Sequence, residues 1–318
     1  MTTSPSLPVV DISGFLHGDE QQRLAVAREW DAAFSSVGLA TIVGHGVPDD
    51  AIEALYGSAS AFFGASRDEK MRYCLNQGYG RGGFVPQGVE AVARSTGTET
   101  APPDLVENFV FSHGGDPKLE SVPVPTEPAS FQPAVAAYWS QMDALLHTLM
   151  RLSAVALSLP AEHFEPCLES PKCNLRLAYY ASLDTDAAAA GSIRYGAHTD
   201  YTGFTILRQD PRVGGLEAQT VDGAWHAVPP RPGGLVVNAG DLIQVWTNDR
   251  WRSPPHRVVN PPPELARQGR LSLVFFTGPT DETTIEALPG THGPDNPKRY
   301  EPVSAREHLL RKLGLSNT

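Results

Sequence analysis

Cysteine is scarce in this chain, with only Cys74, Cys167 and Cys173 among 318 residues. The number is odd and no two form a Cys-x-x-Cys pair, which argues against a disulfide framework or a zinc knuckle and fits a reducing, cytoplasmic setting. Positive charge is also short: 25 Lys plus Arg face 36 Asp plus Glu, and no basic run offsets the net charge of −11. Nucleic acid and anionic membrane are therefore not expected partners. Long apolar runs are missing too. The most apolar stretch, 144–159, is broken by His147 and Arg151, and it predicts a core helix rather than a membrane span. The opening Met1-Thr2-Thr3-Ser4-Pro5 has neither the basic start nor the apolar centre of an export signal, so no export is expected.

What the chain does have is turn chemistry. Its 29 glycines and 28 prolines cluster between apolar runs, as β-rich folds require. Leu24, Ala27, Trp30, Phe34 and Val37 recur at helical spacing, and Gly38 is placed to end that helix. A strand over 39–43, a helix over 49–63 and a short helix opened by a Ser66/Glu69 capping box follow. Gly78, Gly80, Gly82 and Gly83 mark a loop, and Ala187–Ala190 a hairpin tip. Val135, Tyr138, Met142, Leu145, Leu149 and Leu152 form one stripe of a long helix that stops near Pro160.

From Asn174 to Thr277 eight short β-prone runs alternate with turns, at 175–181, 202–208, 215–219, 225–228, 235–238, 242–246, 256–259 and 271–276. Eight such strands predict a jelly roll. The expected architecture is mainly β with α: an N-terminal α/β region over 1–115, then helices, a jelly-roll core at about 174–277 and a C-terminal helix over 116–318, in one structural unit.

The chemistry is concentrated in that core. In His198-Thr199-Asp200, the two side chains that could bind a metal stand two apart, so on an extended strand they project to the same side. Two imidazoles and one carboxylate on one face of a divalent ion leave about three of six positions open, as oxygen chemistry needs. The third donor must come from another strand. His256 opens one candidate strand, and His226 is its main competitor, although its neighbours suggest an outward-facing position. His45, in a Gly-His-Gly turn, reads as structural. Arg270 and Ser272 also lie two apart on a predicted strand; a guanidinium beside a hydroxyl is suited to holding a carboxylate.

Several segments carry a resemblance in order and spacing. They are Leu7-Pro8-Val9-Val10-Asp11-Ile12, Gly44-His45-Gly46-Val47-Pro48, Pro103 to Phe109, His198-Thr199-Asp200, the run from Gly240 through His256 to Val259, and Arg270-Leu271-Ser272. Together they resemble the iron(II)- and 2-oxoglutarate-dependent dioxygenases of the isopenicillin-N-synthase-like superfamily, over nearly the whole chain. The resemblance places the third metal ligand at His256 and the distal carboxylate of 2-oxoglutarate on Arg270 and Ser272. It implies Fe(II), 2-oxoglutarate and O2 as cofactor and cosubstrates, and oxidation, by default hydroxylation, of a C–H bond in a small molecule with release of succinate and CO2.

One strand departs from the family pattern. Where relatives read Asn-x-Tyr-Pro, this chain has Ala178-Tyr179-Tyr180-Ala181, which leaves Tyr180 as the hydroxyl donor to the cosubstrate. Arg176, on the same face, has three possible partners: cosubstrate, substrate, or an acid in the barrel wall. Substrate contacts are expected from the loop 79–87, including Arg81, Phe84 and Gln87, from Phe204 and Leu207, and from a C-terminal helix over 303–313 acting as a lid. Two other readings stay open: an iron oxidase of the same fold that needs no 2-oxoglutarate, and a non-catalytic ligand-binding barrel. A monomer is the simpler expectation.

Overall fold

The computed structural model describes residues 7–74, 82–96, 100–116, 118–120, 123–182 and 193–316. Strand β1 (Val9–Asp11) pairs in parallel with β2 (Leu39–Val43), and between them lie helices α1 (Ser13–His17) and α2 (Glu20–Ser36). An Asp19/Gln22 capping box starts α2. Beyond its end Gly38 takes φ +83°, where a Cβ would stand 2.2 Å from Arg252 O, so only glycine serves there. Helix α3 (Asp49–Gly64) follows, then α4 (Arg67–Met71) with the Ser66/Glu69 capping box in place. After β3 (Gly83–Val85), a 3-10 turn (Val92–Thr96) and β4 (Glu107–Phe111) comes α5 (Phe131–Ala156), the long bracing helix.

The segment from 174 to 276 supplies β5 (Asn174–Tyr180), β6 (Tyr195–His198), β7 (Phe204–Arg208), β8 (Leu216–Gln219), β9 (Trp225–Ala227), β10 (Leu235–Ala239), β11 (His256–Val258) and β12 (Arg270–Phe276). They divide into two sheets, one ordered β1-β2-β10-β7-β12-β5-β4-β3 and the other β6-β11-β8-β9. This is the jelly roll, a mainly β fold with helices against its larger sheet. The small hairpin β13 (Thr284–Ile285) and β14 (Val303–Ser304) leads into the last helix, α7 (Ala305–Ser316).

Strand parity decides which residues face the barrel interior. On β12, Leu271, Leu273 and Phe275 join the core shared with α2, α3 and α5, whereas Arg270, Ser272, Val274 and Phe276 line an interior cavity. On β5 the split is Leu175 and Leu177 outward, Arg176, Ala178 and Tyr180 inward. Because side chains alternate with a period of two, both of these strands present one apolar face to the helices and one mixed face to the cavity.

One of the eight expected strands changes, and a strand outside the eight takes its place. Residues 242–246 form a helix, α6 (Asp241–Trp246), instead of a strand. Leu242, Ile243, Val245 and Trp246 are its buried residues, a spacing with helical period, and Asp241 in the first turn suits the helix dipole. The eighth strand is β6, whose Tyr-Gly-Ala-His sequence has no β-branched residue; its pairing with β11 overrides weak local preference. Gly240 permits the close fit of α6, since a Cβ there would lie 2.5 Å from Thr202 O. Among the described residues no helix is long and apolar enough to cross a membrane.

Candidate active site

Strands β6 and β11 run antiparallel with His198 directly opposite His256, so the two imidazoles meet across one strand pair. Their ring centroids are 4.2 Å apart. Asp200 lies just past the end of β6, and its Oδ1 stands 3.7 Å from the Nε2 of each histidine. All three donor atoms fall within 4.8 Å of one another, and each 3.7 Å gap is one that a divalent ion about 2 Å from both donors can bridge.

The groups behind this trio fix its orientation. His198 Nδ1 donates to Gly196 O at 2.9 Å and His256 Nδ1 to Pro254 O at 3.1 Å. Each bond selects the tautomer whose Nε2 lone pair faces the gap. Asp200 Oδ2 accepts from Thr205 Oγ1 at 2.5 Å and Asn238 Nδ2 at 2.7 Å, leaving Oδ1 to the gap. Burial, together with the neighbouring His256, pulls His198 far below the ordinary imidazole value, so it is neutral and able to ligate. Burial raises the Asp200 carboxyl, but the two imidazoles and the Thr205 and Asn238 hydrogen bonds outweigh it, and the net shift is downward.

Sequence reasoning singles out neither Thr205 nor Asn238. A signal for Asn238 is present: one amide in the strand Leu-Val-Val-Asn-Ala, otherwise wholly apolar, must find a partner when buried. Replacing Asn238 by alanine removes one of two bonds that aim Asp200, and divalent-metal affinity is expected to fall by about 10- to 100-fold. Metal titration of apoprotein measures this, and unchanged affinity would show that Oδ2 needs no support.

Further along the same cavity lie Arg270 and Ser272, each 1% exposed. Arg270 Nε, Nη1 and Nη2 and Ser272 Oγ are all buried without a hydrogen-bond partner. An unpaired buried guanidinium is costly, so this part of the cavity is suited to an anion. Tyr180 is the cross-strand partner of Arg270, and Ala178 that of Ser272; the guanidinium sits 4.9 Å from the Tyr180 ring centroid. The cavity is lined by these groups, the His198/Asp200/His256 trio and apolar residues including Leu207, Leu216 and Val258.

Arg176 also lines the cavity, and it is paired with an acid that comes from the loop between β3 and the 3-10 turn rather than from a barrel strand. That acid is Glu90; Arg176 Nε donates to Asn108 Oδ1 at 2.8 Å, and Asn108 donates to the same Glu90 carboxylate at 3.1 Å. Burial of all three groups demands that pairing. Nearby, Asp104 accepts from Val92 N and Gly196 N, both at 2.8 Å, tying the 3-10 turn to the strand that ends in His198. Burial raises the Asp104 carboxyl to about 6.

Three expected substrate contacts lie elsewhere. Phe204 has the wrong strand parity: it packs against Trp30, Phe34 and Trp251 on the helical side, while Thr205 and Leu207 of the same strand line the cavity. Phe84 is buried in the aromatic cluster of Phe62, and Gln87 is exposed in the turn after β3. Arg81 lies outside the described residues. His226 is not outward-facing; it sits in register with Ala218, itself opposite His256, so it shares their face but is two strands, about 10 Å, away. His45 holds a turn, its Nε2 at 3.1 Å from Gly233 O. The C-terminal helix α7 reaches the site indirectly: Lys312 Nζ is 2.5 Å from Asp241 Oδ2, and Asp241 N donates to Asp200 O at 2.8 Å.

Comparison with known proteins agrees with this geometry. Residues 171–279 match the model of the 2OG-Fe(II) oxygenase superfamily, and 7–128 that of the non-haem dioxygenase in morphine synthesis N-terminal region. Validamycin A dioxygenase of Streptomyces hygroscopicus subsp. limoneus is 29% identical, over 96% of this chain and 86% of its own. Gibberellin 20 oxidase 5 of Arabidopsis thaliana is 31% identical, over 89% of this chain and 71% of its own. Among solved structures, a full-length Neurospora crassa protein in complex with alpha-KG and thymine superposes with a TM-score of 0.86 at 28% identity, covering 97% of this chain and 96% of that one. Two histidines and a carboxylate gathered in a jelly roll are a donor set suited to iron oxygenases. The chain belongs to the 2OG-Fe(II) oxygenase superfamily, and it is an enzyme that depends on Fe(II) and 2-oxoglutarate.

Proposed function

We propose that this enzyme hydroxylates a C–H bond of a small molecule, with His198, Asp200 and His256 holding the iron and Arg270, Ser272 and Tyr180 holding 2-oxoglutarate. The observation that carries the reading is the buried Arg270 guanidinium, unpartnered at all three nitrogens, on the wall of the cavity that also holds the trio. The donor set fits the metal: two neutral imidazoles and one carboxylate oxygen suit Fe(II) and leave positions open. Arg270 and Ser272 fit the far carboxylate of a five-carbon diacid, whose keto acid end then lies toward the metal. Bound iron supplies oxygen activation, coupled to conversion of 2-oxoglutarate to succinate and CO2.

The chain's own residues perform the rest. Arg270 and Ser272 register the cosubstrate, Asn238 and Thr205 keep Asp200 turned to the metal, and the apolar wall of Leu207, Leu216 and Val258 excludes water from the reacting centre. Arg176, held by Glu90 and Asn108, gives that wall one polar face beside Tyr195, where a substrate's polar group can be read. We take residues 1–115 and 116–318 as one unit, because β1 to β4 extend the sheet formed by β10, β7, β12 and β5. The three free cysteines suit a cytoplasmic setting.

The test is succinate release. Purified protein with Fe(II), O2 and 2-oxoglutarate, screened against amino acids, hormone-like acids and other small metabolites, is expected to yield succinate in step with a hydroxylated product, and His198→Ala protein none. Product formed without succinate would instead favour an iron oxidase independent of 2-oxoglutarate.

A further inference from the structure

Arg194, on the segment that enters β6, is a second guanidinium enclosed at the clamp end of the barrel. It is 0% exposed. Its Nη2 donates to Gln268 O at 3.1 Å, while Nε and Nη1 are buried with no partner. The guanidinium lies 5.8 Å from the Tyr180 ring centroid, and Arg270 lies 4.9 Å from the same ring. Two buried cations thus share one tyrosine. Gln268 precedes Arg270 by two residues, so the bond to its carbonyl holds Arg194 beside the start of β12.

The neighbouring anion is already committed. Asp210, 0% exposed, accepts from Tyr56 Oη, from Arg212 N and Val213 N, and from Leu271 N at 3.2 Å. It makes no ion pair with Arg194 or Arg270; its side-chain partner among the cations is Arg212, at 3.5 Å. Burial and the charge of Arg270 lower Arg194 to about 10, so it remains a cation at neutral pH. Two like charges enclosed this way repel until an anion arrives.

We infer that Arg194 is a positioning residue for the cosubstrate: its charge, acting from behind Tyr180, adds to that of Arg270 and selects a keto acid that ends in a carboxylate. This rests on the reading of Arg270 and Ser272 as the cosubstrate clamp. Nothing in the sequence marks Arg194, because its neighbourhood is made by Tyr180, Gln268 and Arg270, all remote in the chain.

The test is equilibrium binding to the Fe(II) enzyme without oxygen, using 2-oxoglutarate and 2-oxopentanoate. The second keeps the keto acid and chain length but ends in a methyl group. In Arg194→Gln protein the preference for 2-oxoglutarate over 2-oxopentanoate is expected to drop roughly tenfold with iron affinity retained, and in Arg194→Lys protein to stay within about twofold. Equal weakening of both ligands, or an unchanged preference in the glutamine variant, overturns the assignment. If Arg194→Gln does not fold, Arg194→Lys decides: a retained preference supports a charge role, and a collapse to the level of Arg270→Gln refutes it. If Arg270→Gln itself leaves the preference intact, the clamp reading fails, which is a separate result.

Discussion

In Arg270→Lys protein the KM for 2-oxoglutarate is expected to rise by roughly 10- to 100-fold while iron affinity is unchanged. The argument starts from what the buried site offers. Three guanidinium nitrogens, all unpartnered, present a planar fork that meets both oxygens of a carboxylate at once. Lysine keeps the charge but not the fork, and its shorter reach leaves Ser272 Oγ to hold the anion with a single ammonium. The effect falls on KM more than on kcat, since the far carboxylate is bound alike before and during reaction. Steady-state kinetics against 2-oxoglutarate measure it, and an unchanged KM would remove Arg270 from the role.

Asp200→Asn is expected to lose more, with activity below about one part in a thousand and with metal binding abolished at micromolar iron. The carboxylate serves two directions: Oδ2 is taken by Thr205 and Asn238 and Oδ1 faces both imidazoles at 3.7 Å. Asparagine has a single acceptor oxygen. If that oxygen satisfies the Thr205 and Asn238 donors, an NH2 group faces the metal and cannot ligate; if it turns to the metal, the new NH2 group is left against the buried Asn238 NH2, donor against donor. Either arrangement loses a contact that the carboxylate makes. Iron titration alongside succinate release checks this, and full iron affinity in the variant would show that Asp200 is not a ligand.

Particular residues show how far a sequence can be read. His198 and Asp200 are legible because they stand two apart, and Arg270 and Ser272 for the same reason: short spacing on a strand fixes a shared face. Phe204 misleads because nearness in sequence to Asp200 suggests nearness in space, while its strand parity turns the ring to Trp30 and Phe34. The helix at 241–246 reads as a strand by composition, although its buried positions follow a helical period. Arg194, Asn238 and the Glu90/Asn108 partnership of Arg176 are not legible in the same way, since each depends on which strand lies beside which.

The sequence by itself determined the class of chemistry, through ligand types and local spacing, and the alternation that builds two-faced strands. Spacing alone leaves His226 and His256 both open, and the resemblance favours His256; the tertiary structure supplies the reason, since both lie on the small sheet and the register of β11 against β6 brings His256 across from His198. The tertiary structure alone decided that Arg176 is paired and Arg270 is not. Both outcomes follow from one physical fact: local sequence sets the face a side chain occupies, whereas the partner it meets there is set by contacts between segments far apart in the chain.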